Sequence, residues 1–289
     1  MDIKSTINLL GLKSEKCSNI SIISNKHGNI VYRLKYDNKY YVLKYFTNEN
    51  NREVKFYELL RSMKFHTLRV ISTCESAILL ESVDHSLDKR FAKEKDLLDC
   101  DILISLANWY REFHRIGREC IEKEGIKPFF LDELSHIKRE SLEELTRMNK
   151  LNDAPGWKLV LNRYEDIIDY SKRIPQTFNY NDFSYLNMVI GKNKIYMFDF
   201  HLSGYGMAYC DIRNVLTALD DNAKKIFLEN YGEYSEDEKL LDDPLSILIA
   251  LCISLNFETK PLWAKELIES IFSGKFIFKF KKALNIALK

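Results

Sequence analysis

The residues best suited to chemistry lie in one short segment, residues 179–200 (NYNDFSYLNMVIGKNKIYMFDF). Asp182 is followed five residues later by Asn187, and a predicted β-hairpin then leads to Asp199. One carboxylate could accept the proton of an attacking hydroxyl group, while an amide oxygen and a second carboxylate could bind Mg²⁺, which prefers oxygen ligands. Phosphoryl transfer needs such groups on a rigid frame, because positioning and charge stabilisation supply most of its rate. The segment therefore predicts Asp182 as the catalytic base, with Asn187 and Asp199 as metal ligands.

A structural interpretation of the same residues competes with this one. Asp182 and Asn187 could be ordinary turn residues, and Asp199 could simply end a strand. Asp-x4-Asn alone is a weak pattern that occurs often by chance. The second aspartate after a hairpin, in the sequence MFDF, makes coincidence much less plausible and favours the catalytic interpretation.

Through Asp182, Asn187 and Asp199 the chain resembles the aminoglycoside phosphotransferase and choline kinase superfamily, which shares its fold with protein kinases. The catalytic loop of that superfamily typically reads His-Gly-Asp-x4-Asn, and here Tyr180 and Asn181 replace the His and Gly before Asp182. The metal-binding aspartate of the superfamily matches Asp199. Asp211 resembles a later aspartate and is expected to hold the catalytic loop or to cap its helix. The resemblance runs from about residue 20 to the C-terminal helices.

The resemblance also assigns an ion pair to the N-terminal part of the chain. Lys44 in YVLKYF resembles the strand lysine that contacts nucleotide phosphates, and Glu53 in NREVKFYELL resembles its partner on a helix. Taken alone, each would be read as a solvated surface residue. Glu49 and Glu58 lie nearby and are alternatives to Glu53.

Further nucleotide contacts are implied by two other segments. Residues 24–32 (SNKHGNIVY) stand where a phosphate-covering loop is expected, and their single glycine, Gly28, excludes a Walker A motif. Residues 77–83 (AILLESV) resemble the segment between the two lobes, where backbone groups around Glu81 and Val83 would bind the purine. The implied co-substrate is ATP or GTP with Mg²⁺.

The order of predicted elements fits this fold class, an α+β protein-kinase-like fold with two lobes. Residues 1–84 form an N-terminal nucleotide-binding lobe, an antiparallel sheet with one helix, and residues 85–289 a larger, mainly helical catalytic and substrate-binding lobe. Alternation and turn signals predict strands at 20–24, 30–36, 40–46, 70–72, 77–81, 188–190 and 195–198. Asp37 and Asn38 are predicted to form the turn of a hairpin between the second and third of these strands. Helical spacing predicts helices at 48–63, which Asn48 or Asn50 could cap, and at 101–117, 131–151, 157–173 and 245–255.

The amino-acid composition argues against some classes of function. The 43 Lys and Arg against 42 Asp and Glu leave a formal net charge of +1, which argues against a generic nucleic-acid binder. The six cysteines form no CxxC pair, as is typical of reduced thiols in the cytoplasm. We also expect no secretory signal at the N-terminus and no membrane span, and a monomer or weak dimer.

The acceptor is expected to be a small cationic molecule with a hydroxyl group, most plausibly an aminoglycoside, which would make the protein an antibiotic-resistance kinase. An acidic run at residues 233–243 fits a polycation, although charge runs are usually solvated. Tyr205 and Trp263 could instead suit choline through cation–π contact, so choline, ethanolamine, sugars and amino alcohols remain alternatives. A non-catalytic nucleotide-binding scaffold is a further alternative.

Overall fold

The computed structural model describes residues 2–26, 28–47, 52–124 and 131–289. Its strands are β1 (Ser18–Lys26), β2 (Asn29–Tyr36), β3 (Lys39–Phe46), β4 (Val70–Cys74), β5 (Ala77–Glu81), β6 (Arg90–Phe91), β7 (Thr177–Asn179), β8 (Met188–Ile190), β9 (Ile195–Met197) and β10 (Gly204–Gly206). Its α-helices are α1 (Ile3–Leu9), α2 (Arg52–Ser62), α3 (Cys100–Glu124), α4 (Arg139–Asn149), α5 (Trp157–Arg173), α6 (Ala208–Thr217), α7 (Asp221–Tyr231), α8 (Glu236–Ser254), α9 (Leu262–Phe272) and α10 (Lys275–Ala287).

The described residues group into two compact units. The first unit comprises the described residues within Met1–Phe113, Asp182–Ser203 and Val215–Tyr231. The second unit comprises those within His114–Asn181, Gly204–Asn214 and Gly232–Lys289. The division into lobes at residues 84 and 85 stays a prediction. The α+β fold class is confirmed, with one antiparallel sheet near the N-terminus and helices through most of the remainder.

An antiparallel sheet of the order β1-β2-β3-β5-β4 dominates the first unit. The predicted hairpin β2–β3 is confirmed, with Asp37 and Asn38 in its turn. Both residues have positive φ, at 50° and 60°. A turn with two left-handed residues matches the twist of the strands that it joins. The central strand β3 pairs on both sides, with Lys44 opposite Val31 and Ile78. Both neighbouring strands therefore fix the position of Lys44.

The second hairpin of the first unit, β8–β9, belongs to a small sheet of the order β6-β8-β9. It pairs Met188 with Met197, and the Phe198 N–H donates to the carbonyl of Asn187 at 3.1 Å. Asn187 immediately precedes the hairpin and Asp199 closely follows it. The predicted hairpin is therefore confirmed, and it brings Asn187 next to the residue that precedes Asp199.

The core of the second unit is helical. Residues of α4, α5, α8 and α10 share one buried apolar cluster, which includes Trp157 and Leu248. The Trp157 indole N–H donates to the Thr146 hydroxyl at 2.7 Å, so this large ring is buried without losing its hydrogen bond. The predicted helix at 157–173 is confirmed with the same bounds, and the predicted helix at 245–255 is the C-terminal part of α8.

The predicted continuous helix at 131–151 is wrong in its first half. A short 3-10 turn occupies Glu133–His136, and the Asp132 carboxylate caps it by accepting the Leu134 N–H at 3.0 Å. Ile137 and Lys138 are extended, and α4 starts after them. A local side-chain cap competed successfully with the helical spacing of the leucines. The start predicted for α2 at residue 48, with Asn48 or Asn50 as its cap, lies outside the described residues.

The described helices include none that is both long enough and apolar enough to span a membrane.

A close approach between helix and strand in the second unit gives a test of the packing. A Cβ added to Gly117 of α3 would lie 2.3 Å from the Phe178 backbone nitrogen and 2.6 Å from the Thr177 hydroxyl. Gly117→Ala should therefore lower the free energy of unfolding by about 1–3 kcal/mol through overpacking. This loss outweighs the roughly 1 kcal/mol that alanine gains over glycine in a helix.

Urea unfolding of Gly117→Ala measures this effect. Glu119→Ala is the control, because Glu119 is an exposed residue of the same helix, and it should change stability by no more than about 0.5 kcal/mol. A Gly117→Ala variant as stable as wild type would contradict the close packing of α3 on β7.

Candidate active site

The first unit contains a buried lysine bonded to two carboxylates. Lys44 Nζ donates to Glu53 Oε2 at 2.6 Å and to Asp199 Oδ1 at 2.5 Å. Glu53 is 3% exposed and Lys44 is 8% exposed. Burial tends to lower the pKa of Lys44, but the charges of Glu53 and then Asp199 outweigh it and raise the pKa. The Lys44 ammonium group on β3 therefore binds two other predicted site residues, Glu53 on α2 and Asp199 after the second hairpin.

Among the candidate partners of Lys44, the structure selects Glu53. Glu58 lies on the same helix, but it is exposed and accepts a hydrogen bond from the Thr73 hydroxyl at 2.8 Å. Glu49 lies outside the described residues. The helical position of Glu53, close to the start of α2, directs its side chain to the sheet, which the sequence could not decide.

Glu53 also holds the backbone that follows Asp199. Its Oε1 accepts the Phe200 N–H at 3.2 Å, and the Phe200 ring packs on Phe56 and edge-on against Tyr57, with centroids 5.4 Å and 5.0 Å away. Asp199 itself has left-handed backbone angles, φ 63° and ψ 67°. A non-glycine residue pays for this conformation, so the surrounding contacts must fix it.

Asp182 and Asn187 are in direct contact. Asn187 Nδ2 donates to Asp182 Oδ2 at 2.8 Å and to the Asp182 carbonyl at 3.2 Å. Asn187 is the last residue of a 3-10 turn, Tyr185–Asn187. The Ser184 side chain caps the start of this turn by accepting the Leu186 N–H. Burial raises the pKa of Asp182 above its ordinary value, although the charge of His201 opposes the shift. The amide of Asn187 thus orients the Asp182 carboxylate.

His201 is a site residue that the sequence analysis missed. Its Nδ1 lies 2.9 Å from Asp199 Oδ1 and 3.9 Å from Asp182 Oδ2. The hydrogen bond to Asp199 raises the pKa of His201. Burial would raise the pKa of Asp199, but the hydrogen bond with His201 and the charge of Lys44 hold it well below its usual range. The available signal was a histidine two residues after the predicted metal ligand in FDFH.

A cavity of about 560 Å³ opens beside these groups within the first unit. Val31, Val42, Leu80 and Phe198 form apolar walls. The polar groups at the cavity are Ser24, Lys26, Asn29, Lys44, Glu53, Tyr57, Asp199 and His201. Apolar walls with a few convergent polar groups are typical of a small-molecule site.

The other predicted nucleotide contacts lie elsewhere in the first unit. Gly28 has φ 78°, and its carbonyl accepts the Thr47 N–H at 2.8 Å. The Glu81 carboxylate pairs with Lys89, and Val83 packs in a small buried cluster. Gly28, Glu81 and Val83 are not among the described residues that line the cavity, and their roles stay predictions.

In the second unit, Asp211 binds the backbone just before Asp182, as expected. It accepts the Tyr180 N–H at 2.7 Å and the Asn181 N–H at 2.9 Å, and His114 Nε2 lies 3.1 Å from its carboxylate. Asn181 has φ 63°, a left-handed conformation that glycine adopts most readily. Tyr180 is fully buried.

The acidic run of residues 233–243 is largely part of helix α8 and of its contacts. Buried Glu238 accepts the Tyr209 N–H at 3.0 Å, and buried Asp242 pairs with Arg213 at 2.7 Å. Asp243 pairs with Lys279 at 3.0 Å. These carboxylates stabilise the helical unit, which weakens the argument that the run binds a polycation.

The chemistry of the first unit's groups fits a divalent cation. One ligand atom from each of Asp182, Asp199 and His201 lies within 4.8 Å of the others. The Oδ1 of Asn187 adds an oxygen donor next to Asp182. Carboxylate and amide oxygens suit Mg²⁺.

Comparisons with known proteins agree with this fold. No protein-family profile matches the chain. The protein LicA homolog of Mycoplasma capricolum subsp. capricolum is 24% identical over 216 residues, which cover 74% of this chain and 80% of the relative. Choline kinase LicA from Streptococcus pneumoniae has a similar crystal structure, with a TM-score of 0.59, 15% identity and coverage of 99% of this chain and 97% of that one.

A spectinomycin phosphotransferase in complex with ADP and spectinomycin is also similar, with a TM-score of 0.52, 14% identity and coverage of 100% of this chain and 98% of that one. The chain therefore has the two-lobed, protein-kinase-like fold that choline kinases and antibiotic phosphotransferases share, which confirms the predicted resemblance at the level of fold.

The two glutamates of α2 give a matched test of the buried ion pair. Glu53→Ala removes one partner of Lys44 and the acceptor of the Phe200 N–H, so it should lower the free energy of unfolding by about 3 kcal/mol. Glu58→Ala removes an exposed carboxylate and should cost less than about 1 kcal/mol. Denaturant unfolding of both variants measures the difference. Equal losses would contradict the assignment of Glu53 as the partner of Lys44.

Proposed function

We propose that the protein is a small-molecule kinase that transfers the γ-phosphate of ATP or GTP to a hydroxyl group. The observation that carries this proposal is the junction of Lys44, Glu53 and Asp199 at the cavity, with the Asp182–Asn187 pair beside it. Phosphoryl transfer requires a fixed cation for phosphates, metal ligands and a base for the hydroxyl, and this group of residues supplies all three.

Each residue has a distinct role in this proposal. Lys44 binds nucleotide phosphates, and Glu53 keeps its ammonium group in place. Asp199 and Asn187 would hold Mg²⁺, which neutralises charge on the phosphates when it is bound. Asp182 accepts the proton of the acceptor hydroxyl, and the amide of Asn187 holds the carboxylate in position for this step.

We propose choline or a related amino alcohol as the acceptor. The Mycoplasma relative is named a LicA homolog, and the Streptococcus structure is a choline kinase of the same name. Both matches cover most of this chain. The structural use of Glu238 and Asp242 also leaves fewer carboxylates in the acidic run for a polycation.

An aminoglycoside is the second candidate acceptor. The similarity to the spectinomycin phosphotransferase, which covers the whole chain, favours it. Both candidates carry a hydroxyl group near a positive charge, so one assay can compare them.

The experiment is nucleoside diphosphate release with Mg²⁺, with ATP and GTP tested separately. The panel contains choline, ethanolamine, spectinomycin, other aminoglycosides and small sugars. Stimulation by choline or ethanolamine supports the proposal, and stimulation by antibiotics alone moves the assignment to the second candidate. No release from folded protein with any acceptor would contradict the kinase and favour a nucleotide-binding scaffold.

Asp182→Asn tests the assigned base. The variant should lose about 10²–10⁴-fold in turnover because an amide cannot accept the proton, the range usual for general bases. Nucleotide affinity should stay near that of wild type, since Asp182 is not one of the residues that line the cavity in the described part of the chain. Asp88→Asn, an exposed residue of the same unit, is the control. Turnover like wild type in Asp182→Asn would remove Asp182 from the mechanism.

A further inference from the structure

His201 places a nitrogen donor where the predicted metal ligands supply only oxygen. Its Nδ1 lies 2.9 Å from Asp199 Oδ1 and 3.9 Å from Asp182 Oδ2, and both His201 and Asp199 line the cavity. His201 is half-buried, and its ring nitrogen faces two carboxylates at once. One cation within bonding distance of His201 Nδ1 and Asp199 Oδ1 would replace the hydrogen bond between them.

The local charge favours a divalent cation at this position. Lys44 and Glu53 form an ion pair whose charges cancel, so the carboxylates of Asp182 and Asp199 give this position a net negative charge. A divalent cation balances that charge. The cavity gives such a cation access to phosphate oxygens as further ligands.

The kind of donor affects which metal is bound. Mg²⁺ takes oxygen ligands almost exclusively and is reluctant to exchange its waters for other donors. Imidazole suits first-row transition metals, while carboxylates also suit Mn²⁺. A mixed set of carboxylate oxygens and one imidazole nitrogen therefore favours Mn²⁺ over Mg²⁺.

We infer that His201 is a metal ligand through Nδ1 and that, together with Asp199, it makes the site selective for Mn²⁺ over Mg²⁺. This inference deepens the proposed function and rests on its assignment of Asp199 as a metal ligand. For ligation, the Nδ1 lone pair must point to the metal, so the ring carries its single proton on Nε2. A His201 that served only as the ion-pair partner of Asp199 would keep the proton on Nδ1.

Pulsed electron paramagnetic resonance of Mn²⁺ added alone to the full chain distinguishes these two roles. Wild type should show modulation from a directly bound imidazole nitrogen, and His201→Ala should not. His85→Ala is the control, because His85 is an exposed histidine of the same unit stacked on Tyr40, and it should keep the signal. Absence of a nitrogen signal in wild type with bound Mn²⁺, or its persistence in His201→Ala, would overturn the inference.

Affinity gives a second measure that does not depend on spectroscopy. The ratio of Mn²⁺ affinity to Mg²⁺ affinity, measured by calorimetry, should fall by at least about tenfold in His201→Ala. Substitutions around metal sites typically change metal affinity by about 10- to 100-fold. His201→Asp replaces nitrogen by oxygen and should shift the preference further to Mg²⁺. An unchanged ratio in both folded variants would overturn the inference.

Failure of the inference and failure of the proposed function give different results. A nitrogen signal without nucleoside diphosphate release for any acceptor would support His201 as a ligand and contradict the kinase. Release of nucleoside diphosphate with an unchanged metal preference in His201→Ala would contradict the ligand and leave the kinase in place.

Discussion

The ion pair of Lys44 with Glu53, shared with Asp199, is the constraint on which the candidate site depends. A buried ammonium without partners would carry a large desolvation penalty, so the two carboxylates must be present before Lys44 can be buried. Each partner also determines a local structure. Glu53 accepts the Phe200 N–H, and Asp199 has a left-handed backbone that leads into the turn Phe200–Leu202. The same bonds therefore hold the lysine, the helix α2 and the end of the second hairpin.

Environment separates the basicity of the two aspartates. A hydrogen bond with His201 and the charge of Lys44 hold the pKa of Asp199 low and stabilise its ionised form. Asp182 is dominated by burial, which raises its pKa and makes its carboxylate the better proton acceptor of the two. Two carboxylates in one site thus differ in basicity because one is surrounded by donors and the other is desolvated.

The sequence was most informative where local rules determine the structure. The turn at Asp37 and Asn38 requires positive φ, which these residues tolerate, and the helix at 157–173 has strong apolar spacing, so both were predicted with correct bounds. The segment at 131–151 was predicted poorly, because a cap by Asp132 interrupts it at short range. Asp182, Asn187 and Asp199 could be found because one hairpin fixes their separation.

The remaining features depend on contacts that no local pattern encodes. Glu53 and Glu58 stand five residues apart on one helix, and only the packing of α2 on the sheet decides which reaches Lys44. His201 was missed because a single histidine carries no signal until Asp199 lies beside it. The acidic run looked solvated, yet Glu238 and Asp242 are buried by partners 29 residues away in the chain.

The central claim is that Lys44 binds nucleotide phosphates, and one calorimetric comparison tests it most directly. ATP and adenosine are titrated, each with the divalent cation present, into wild type and into folded Lys44→Met. The account predicts that wild type prefers ATP over adenosine and that the variant largely loses this preference while its affinity for adenosine stays the same. An undiminished preference for ATP in Lys44→Met would contradict the account.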